Sequence, residues 1–237
     1  MKSVSHVVLL LASIGALGLA IASATARERA LPAGLDTPLR YVALGDSTVE
    51  GVGATARELN YVSRLHARLR ARYPASELAN LGVAGATSAD VVRGQLDAAI
   101  ARAPHLVTLS IGPNDITQRV PVEAYERNLE TIFGRLRGGT DAVIVASLLP
   151  DLGITPRFRD TPERDDVARA SVAFNDALRR RAAAHGVTLV DLWAPSRAEV
   201  PRDPALVAGD GYHPSDAGYA RWAELTWAAI APLIPAR

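Results

Sequence analysis

Arg40-Tyr41-Val42-Ala43-Leu44-Gly45-Asp46-Ser47 is the stretch on which the fold turns. A short apolar run is stopped by glycine and followed at once by an acid and a hydroxyl. That pattern predicts a buried strand that ends in a tight turn bearing polar groups. Outward from it, four further apolar runs read as strands: Leu78 to Leu81, His105 to Ile111, Ala142 to Leu149 and Val187 to Leu192. Between them lie segments of helical periodicity. Tyr61 to Tyr73 carries Val62, Leu65 and Leu69, and Val122 to Leu136 carries Tyr125, Leu129 and Ile132. Val167, Phe174 and Leu178 mark a long helix running to Gly186, and Ala217 to Ile230 forms a closing one. Thr87-Ser88-Ala89-Asp90 has the spacing of a helix cap with a reciprocating acid, ahead of Val91, Leu96 and Ile100. Strands alternating with helices imply βαβ units and a parallel sheet covered on both faces.

In such sheets ligands are met by loops beyond the carboxyl ends of the strands. Ser47, Gly82 and Asn114 each stand one to three residues past an expected strand end, in Gly45-Asp46-Ser47, Asn80-Leu81-Gly82 and Gly112-Pro113-Asn114-Asp115. A fourth motif, Asp210-Gly211-Tyr212-His213, precedes the last helix, which Ser215-Asp216 can cap. Each motif alone reads as an ordinary turn or helix lead. The ordered set supplies a hydroxyl nucleophile (Ser47), a base (His213), a carboxylate to orient that base (Asp210), and oxyanion donors from the Ser47 and Gly82 N–H groups and the Asn114 amide. Asp46 reads as a turn former or a support for the site. The other histidines, His6, His66, His105 and His185, fall where packing or surface roles suffice.

These four blocks resemble those of the SGNH (GDSL-type) hydrolases, and the similarity spans roughly residues 40 to 225. The resemblance implies a three-layer, flavodoxin-like α/β/α fold on a five-stranded parallel sheet. It also implies catalytic Ser47, Asp210 and His213, an oxyanion hole of Ser47, Gly82 and Asn114, and no cofactor or metal. Thr48 stands where many members carry leucine, a change that reaches the floor of the acyl pocket rather than the chemistry.

Composition fits this reading and bears on where the protein acts. The chain has 237 residues, half of them hydrophobic, enough for one α/β domain with a substantial core. Residues 1–26 read as a signal peptide, with Lys2 at the start, an apolar stretch from Val7 to Ala22, and small-residue cleavage sites after Ala24 and Ala26. Residues 27–39 read as a linker and 40–237 as the hydrolase domain. The expected protein is therefore secreted or periplasmic, monomeric, and free of a stable membrane span after cleavage. The absence of cysteine suits an oxidising compartment without disulfides. A formal charge of +1 with no basic tract gives no support for a nucleic-acid partner.

Other readings fit the same residues less well. Gly51-Val52-Gly53-Ala54-Thr55-Ala56 matches a loose dinucleotide fingerprint, but it begins six residues after the strand and lacks the expected downstream acid. No Gly-x-Ser-x-Gly occurs, which sets aside the α/β-hydrolase elbow. No histidine pair or Cys/His cluster has metal-ligand spacing. The expected function is hydrolysis of carboxylic esters of short or medium acyl length. A carbohydrate O-acetylesterase and a non-catalytic secreted binding module are the alternatives. The pocket is expected from loops 113–121, 151–163 and 193–209.

Overall fold

A computed structural model describes residues 29–235. The signal peptide expected over residues 1–26 lies outside them. Five strands, β1 (Arg40–Gly45), β2 (Glu77–Asn80), β3 (Leu106–Ser110), β4 (Val143–Ser147) and β5 (Thr188–Val190), form one parallel sheet in the order β2-β1-β3-β4-β5. Each falls within a residue or two of its expected run. The chain steps from β1 outward to β2, then back past β1 to β3, so the order reverses beside β1. In open parallel sheets a ligand binds in the crevice beyond the strand carboxyl ends at such a reversal.

The helices are α1 (Ser47–Glu50), α2 (Tyr61–Arg70), α3 (Ser88–Asp90), α4 (Leu96–Ala101), α5 (Pro113–Thr117), α6 (Val122–Gly139), α7 (Arg164–His185), α8 (Trp193–Glu199) and α9 (Asp216–Ile230). Alternation along β1 sorts them into two layers. Val42 and Leu44 pack with residues of α4, α6 and α7, whereas Tyr41 and Ala43 pack with residues of α2 and α9. The sheet is thus buried on both faces, as the apolar strands require. Tyr61 stacks on Trp222 at 4.8 Å, which joins α2 to α9. Leu31 and Leu39, from the segment read as a linker, are buried in that layer, and the Tyr73 hydroxyl donates to the Pro32 carbonyl at 2.9 Å.

Three details depart from the expected elements. The segment 193–209 is not all loop: α8 forms because the Asp191 carboxylate accepts from the Trp193 and Ala194 N–H groups, while Pro195 in the first turn needs no donor. Loop 113–121 opens with the single turn of α5, whose first residue is Pro113. The helix expected after Thr87 has its cap, with the Thr87 N–H donating to Asp90 at 2.9 Å, but runs through a π-helical turn at Val91–Gln95 before α4. Such turns favour functional sites. This one rotates the buried Gln95 toward β1, where its amide accepts from the Gly45 N–H at 2.9 Å and donates to the Gly45 carbonyl at 2.7 Å.

Candidate active site

Ser47 opens α1 directly beyond β1. Asp46 is the N-cap, its carboxylate accepting from the Thr48 N–H at 2.9 Å and the Thr48 hydroxyl at 2.8 Å. The Thr48 hydroxyl also meets that of Ser110 on β3 at 3.1 Å, so threonine here ties the Ser47 turn to the neighbouring strand. Leucine could not do this. Asp46 is 1% exposed and its second oxygen has no partner among the described residues. Burial pushes its carboxyl up to about 6, against the opposing pull of the Thr48 bonds and of His213.

The Ser47 Oγ lies 2.8 Å from His213 Nε2, across 166 residues of sequence. On the far side of the ring, Nδ1 is 2.6 Å from Asp210 Oδ2. The other Asp210 oxygen accepts from the Tyr212 and His213 N–H groups, at 2.9 and 3.0 Å, so the loop itself fixes the carboxylate. Burial raises the Asp210 carboxyl, but the bonds from the His213 ring and from the two backbone groups outweigh it and hold the acid below its ordinary value. A hydroxyl, an imidazole and an ionised carboxylate in this sequence of bonds let the ring take the hydroxyl proton without changing tautomer.

The segment that resembled a dinucleotide fingerprint has a mechanical part instead. The Thr55 N–H and hydroxyl donate to the two oxygens of Asp216, at 2.8 and 2.5 Å. The Tyr219 hydroxyl donates to the Val52 carbonyl at 2.6 Å. The chain leaving the Ser47 turn is thereby clasped to the start of α9, two residues beyond Pro214. Ser215 caps that helix, accepting from the Gly218 N–H at 3.2 Å.

The residues expected to hold an oxyanion are differently placed. The Ser47 N–H is the first of its helix and stands outside the intrahelical ladder. The Asn114 amide donates one proton to the Ala86 carbonyl at 2.9 Å, which leaves a second available. Its neighbour Asp115 is fully buried and accepts from the Ser88 N–H and hydroxyl at 2.9 and 2.6 Å, fixing α5 against α3. Gly82, however, donates its N–H to Asn80 Oδ1 at 3.0 Å. A Cβ on Gly82 would stand 2.6 Å from the Glu50 nitrogen and 2.7 Å from Val49 Cβ, so glycine there allows α1 to close onto β2.

Three residues on, Gly85 sits in the turn Val83–Ala86, closed by the Ala86 N–H to the Val83 carbonyl at 3.1 Å. Its φ of +82° is that of a type II turn's third residue, and its N–H has no acceptor among the described residues. Glu50 of α1 accepts from the Ala84 N–H at 2.5 Å, so this turn is moored to the helix that Ser47 opens. The sequence reading did not single out Gly85, although the run Gly82 to Gly85 carries two glycines and only Gly82 is packed against α1.

Loops 151–163 and 193–209 line a pocket of about 100 Å³ with Pro150, Thr155, Val200, Leu206, Tyr212 and Trp222 among its walls. Neither Ser47 nor His213 lines it, nor does loop 113–121. Tyr212 and Pro214, on either side of His213, do line it.

The comparisons with known proteins agree with this architecture. Residues 43–221 match the model of the GDSL-like Lipase/Acylhydrolase family. The chain is 31% identical over 192 residues to the GDSL-like esterase Rv1075c of Mycobacterium tuberculosis, an alignment covering 78% of this chain and 60% of that one. It therefore spans about three-fifths of that relative's length. It is also 29% identical over 246 residues to Lipase 1 of Streptomyces coelicolor, covering 86% and 90% of the two chains. Among solved structures, Axe2, an acetylxylan esterase from Geobacillus stearothermophilus, shares the fold with a TM-score of 0.69 at 22% identity, over 84% of this chain and 97% of that one. The motif order, the parallel sheet and a family match spanning most of the sequence converge: this chain is an enzyme that belongs to the GDSL-like lipase/acylhydrolase family.

Proposed function

We propose that the protein is an exported serine esterase that cleaves carboxylic esters through an acyl-enzyme on Ser47. The observation that carries this reading is the 2.8 Å contact of Ser47 Oγ with His213 Nε2, opposite the 2.6 Å contact of Nδ1 with Asp210. In the first step the Ser47 oxygen adds to the ester carbonyl as its proton passes to His213. The imidazolium then returns that proton to the departing alcohol, leaving the acyl-enzyme. Water, deprotonated by the same ring, releases the acid and restores Ser47. Asp210 stays ionised throughout and favours the transient imidazolium.

Charge that develops on the carbonyl oxygen is met by the Ser47 N–H and the free proton of the Asn114 amide. For the third donor the local bonding favours Gly85 over Gly82, because the Gly82 N–H is already given to Asn80. Export is read from residues 1–26. Among the described residues no helix is long and apolar enough to cross a membrane.

Carboxylic esters of short or medium acyl length are the proposed substrates. An O-acetylated carbohydrate is the second reading, favoured by the shared fold with an acetylxylan esterase. Hydrolysis of 4-nitrophenyl esters from two to sixteen acyl carbons, with Ser47→Ala alongside, tests both. A serine-dependent maximum at six to ten carbons supports the first reading. A sharp maximum at two supports the second. No serine-dependent turnover at any length leaves a binding module and refutes the esterase.

A further inference from the structure

The Asp210–His213 turn is gripped from outside by the loop that follows β4. The Arg157 N–H donates to the Gly211 carbonyl at 2.9 Å. The Arg157 guanidinium lies over two rings, 4.7 Å from the centre of Tyr212 and 5.3 Å from that of Phe158. Phe158 meets Tyr212 edge-on at 6.0 Å, and Tyr212 in turn meets the His213 ring edge-on at 5.1 Å. Two aromatic faces and a backbone anchor thus hold one guanidinium beside the base. Since it is 4.7 Å from the Tyr212 ring, itself 5.1 Å from that of His213, no more than about 10 Å separates it from the imidazole.

The charge of this group is not used internally. Arg157 is exposed and has no ion pair among the described residues. Other arginines of the region are neutralised: Arg159 by Asp160, Arg164 by Asp165 and Arg197 by Asp151. A guanidinium is a planar fork that matches a carboxylate with two parallel bonds, and stacking fixes it before any ligand arrives. Stacked and unpaired among the described residues, it is an ordered cation within about 10 Å of the His213 ring.

From this arrangement we infer that Arg157 is a specificity residue, and that the esters this site takes carry a carboxylate several bonds from the scissile carbonyl. This rests on the esterase reading and narrows its substrate class. No chemical step is added. The carboxylate is bound, not transformed, and the site discriminates through kcat/KM.

The test compares matched esters on both sides of the bond. On the acyl side these are ethyl hydrogen succinate and ethyl butyrate, followed by acid release. On the alcohol side they are 4-acetoxybenzoate and its methyl ester. The parent protein, Arg157→Gln and Arg157→Lys are each assayed, and the anionic-to-neutral ratio of kcat/KM is read. The ratio removes any effect of the substitution on Tyr212 and His213, which both esters would share. In at least one pair the parent's ratio should fall about 10- to 100-fold in Arg157→Gln, the range for a charge-assisted hydrogen bond. Arg157→Lys should recover part of it, and 0.5 M NaCl should lower the parent's ratio but not that of Arg157→Gln. Ratios that are equal in the parent and Arg157→Gln for both pairs overturn the inference while leaving the esterase intact. Failure of the parent to hydrolyse any of the four esters overturns both.

Discussion

Replacing Asp46 by asparagine should stabilise the protein at alkaline pH and progressively less as the pH falls. Asp46 is buried, with one oxygen bonded twice to Thr48 and the other unpartnered, and burial lifts its carboxyl from the ordinary 3.8 to about 6. Below pH 4 both the folded and unfolded chains keep this proton, and the ionisation costs nothing. Between 4 and 6 the folded chain retains a proton that the unfolded chain releases, so stability declines as pH rises. Above 6 the whole cost is present, about 3 kcal/mol for a rise of this size, and about half of it is incurred between pH 5 and pH 8. Asparagine cannot ionise and escapes that slope. Its amide nitrogen, placed where Asp46 has an unpartnered oxygen, adds a fixed offset that does not change with pH. Urea unfolding of the parent and Asp46→Asn at pH 5, 6, 7 and 8 gives the difference directly, and the contributions of Asp115 and Asp210 cancel because both proteins contain them. The variant should gain about 1.5 kcal/mol on the parent between pH 5 and pH 8. A difference that is flat between pH 5 and pH 8, or that moves in the parent's favour as the pH rises, would refute the assignment of Asp46 as a charge held against its burial.

Other outcomes follow from the same geometry. Ser47→Ala or His213→Ala should lower kcat by about 10⁴-fold or more in ester hydrolysis, without loss of the folded near-UV spectrum. Asn114→Ala should cost about 10²- to 10³-fold in kcat with KM nearly unchanged, and an unaltered kcat would remove it from the oxyanion site. Thr55→Val abolishes one of the two bonds to Asp216 and should reduce kcat by about 10-fold through the set of the Ser47–His213 pair, while Thr55→Ser restores it. Gln95→Leu leaves the Gly45 N–H without its acceptor in the core, while the Gly45 carbonyl keeps the Val83 N–H, and should lower stability to urea by about 1–3 kcal/mol.

Much of the fold was legible because its signals are redundant. Each strand is an apolar run closed by a breaker, and each long helix carries its stripe at three- and four-residue spacing, so a slip of one residue at an end changes nothing. What escaped was structure made by single hydrogen bonds. Helix α8 depends on Asp191 reaching two N–H groups, and in sequence Asp191 to Pro195 looks like any polar, proline-bearing loop. The π-helical turn at Val91–Gln95 has no periodic signature at all. It exists because Gln95 satisfies both backbone groups of Gly45, a partner 50 residues away.

The site shows the same division more sharply. Residue type and order indicated Ser47, Asp210 and His213, because the chemistry of proton transfer admits few side chains and the three-residue step lets one loop present both carboxylate and ring. A backbone donor has no such signature. Any glycine past β2 could offer its N–H, and Gly82 was the nearest. Its amide is taken by Asn80 and its Cα lies against α1, a contact that exists only once β2 pairs with β1 and α1 folds over both. The question is then decided by a variant that adds a Cβ. Gly82→Ala forces a carbon to within 2.6 Å of the Glu50 nitrogen and should lower stability and activity together. At Gly85 nothing lies within 4 Å of the added carbon, but the φ of +82° disfavours alanine, so the turn should shift with little loss of the core. Gly85→Ala should therefore lower kcat by about 10-fold or more at a cost of about 1–2 kcal/mol in stability, without the core clash of Gly82→Ala. The reverse pattern, an intact kcat in Gly85→Ala and a stable but inactive Gly82→Ala, would return the oxyanion role to Gly82.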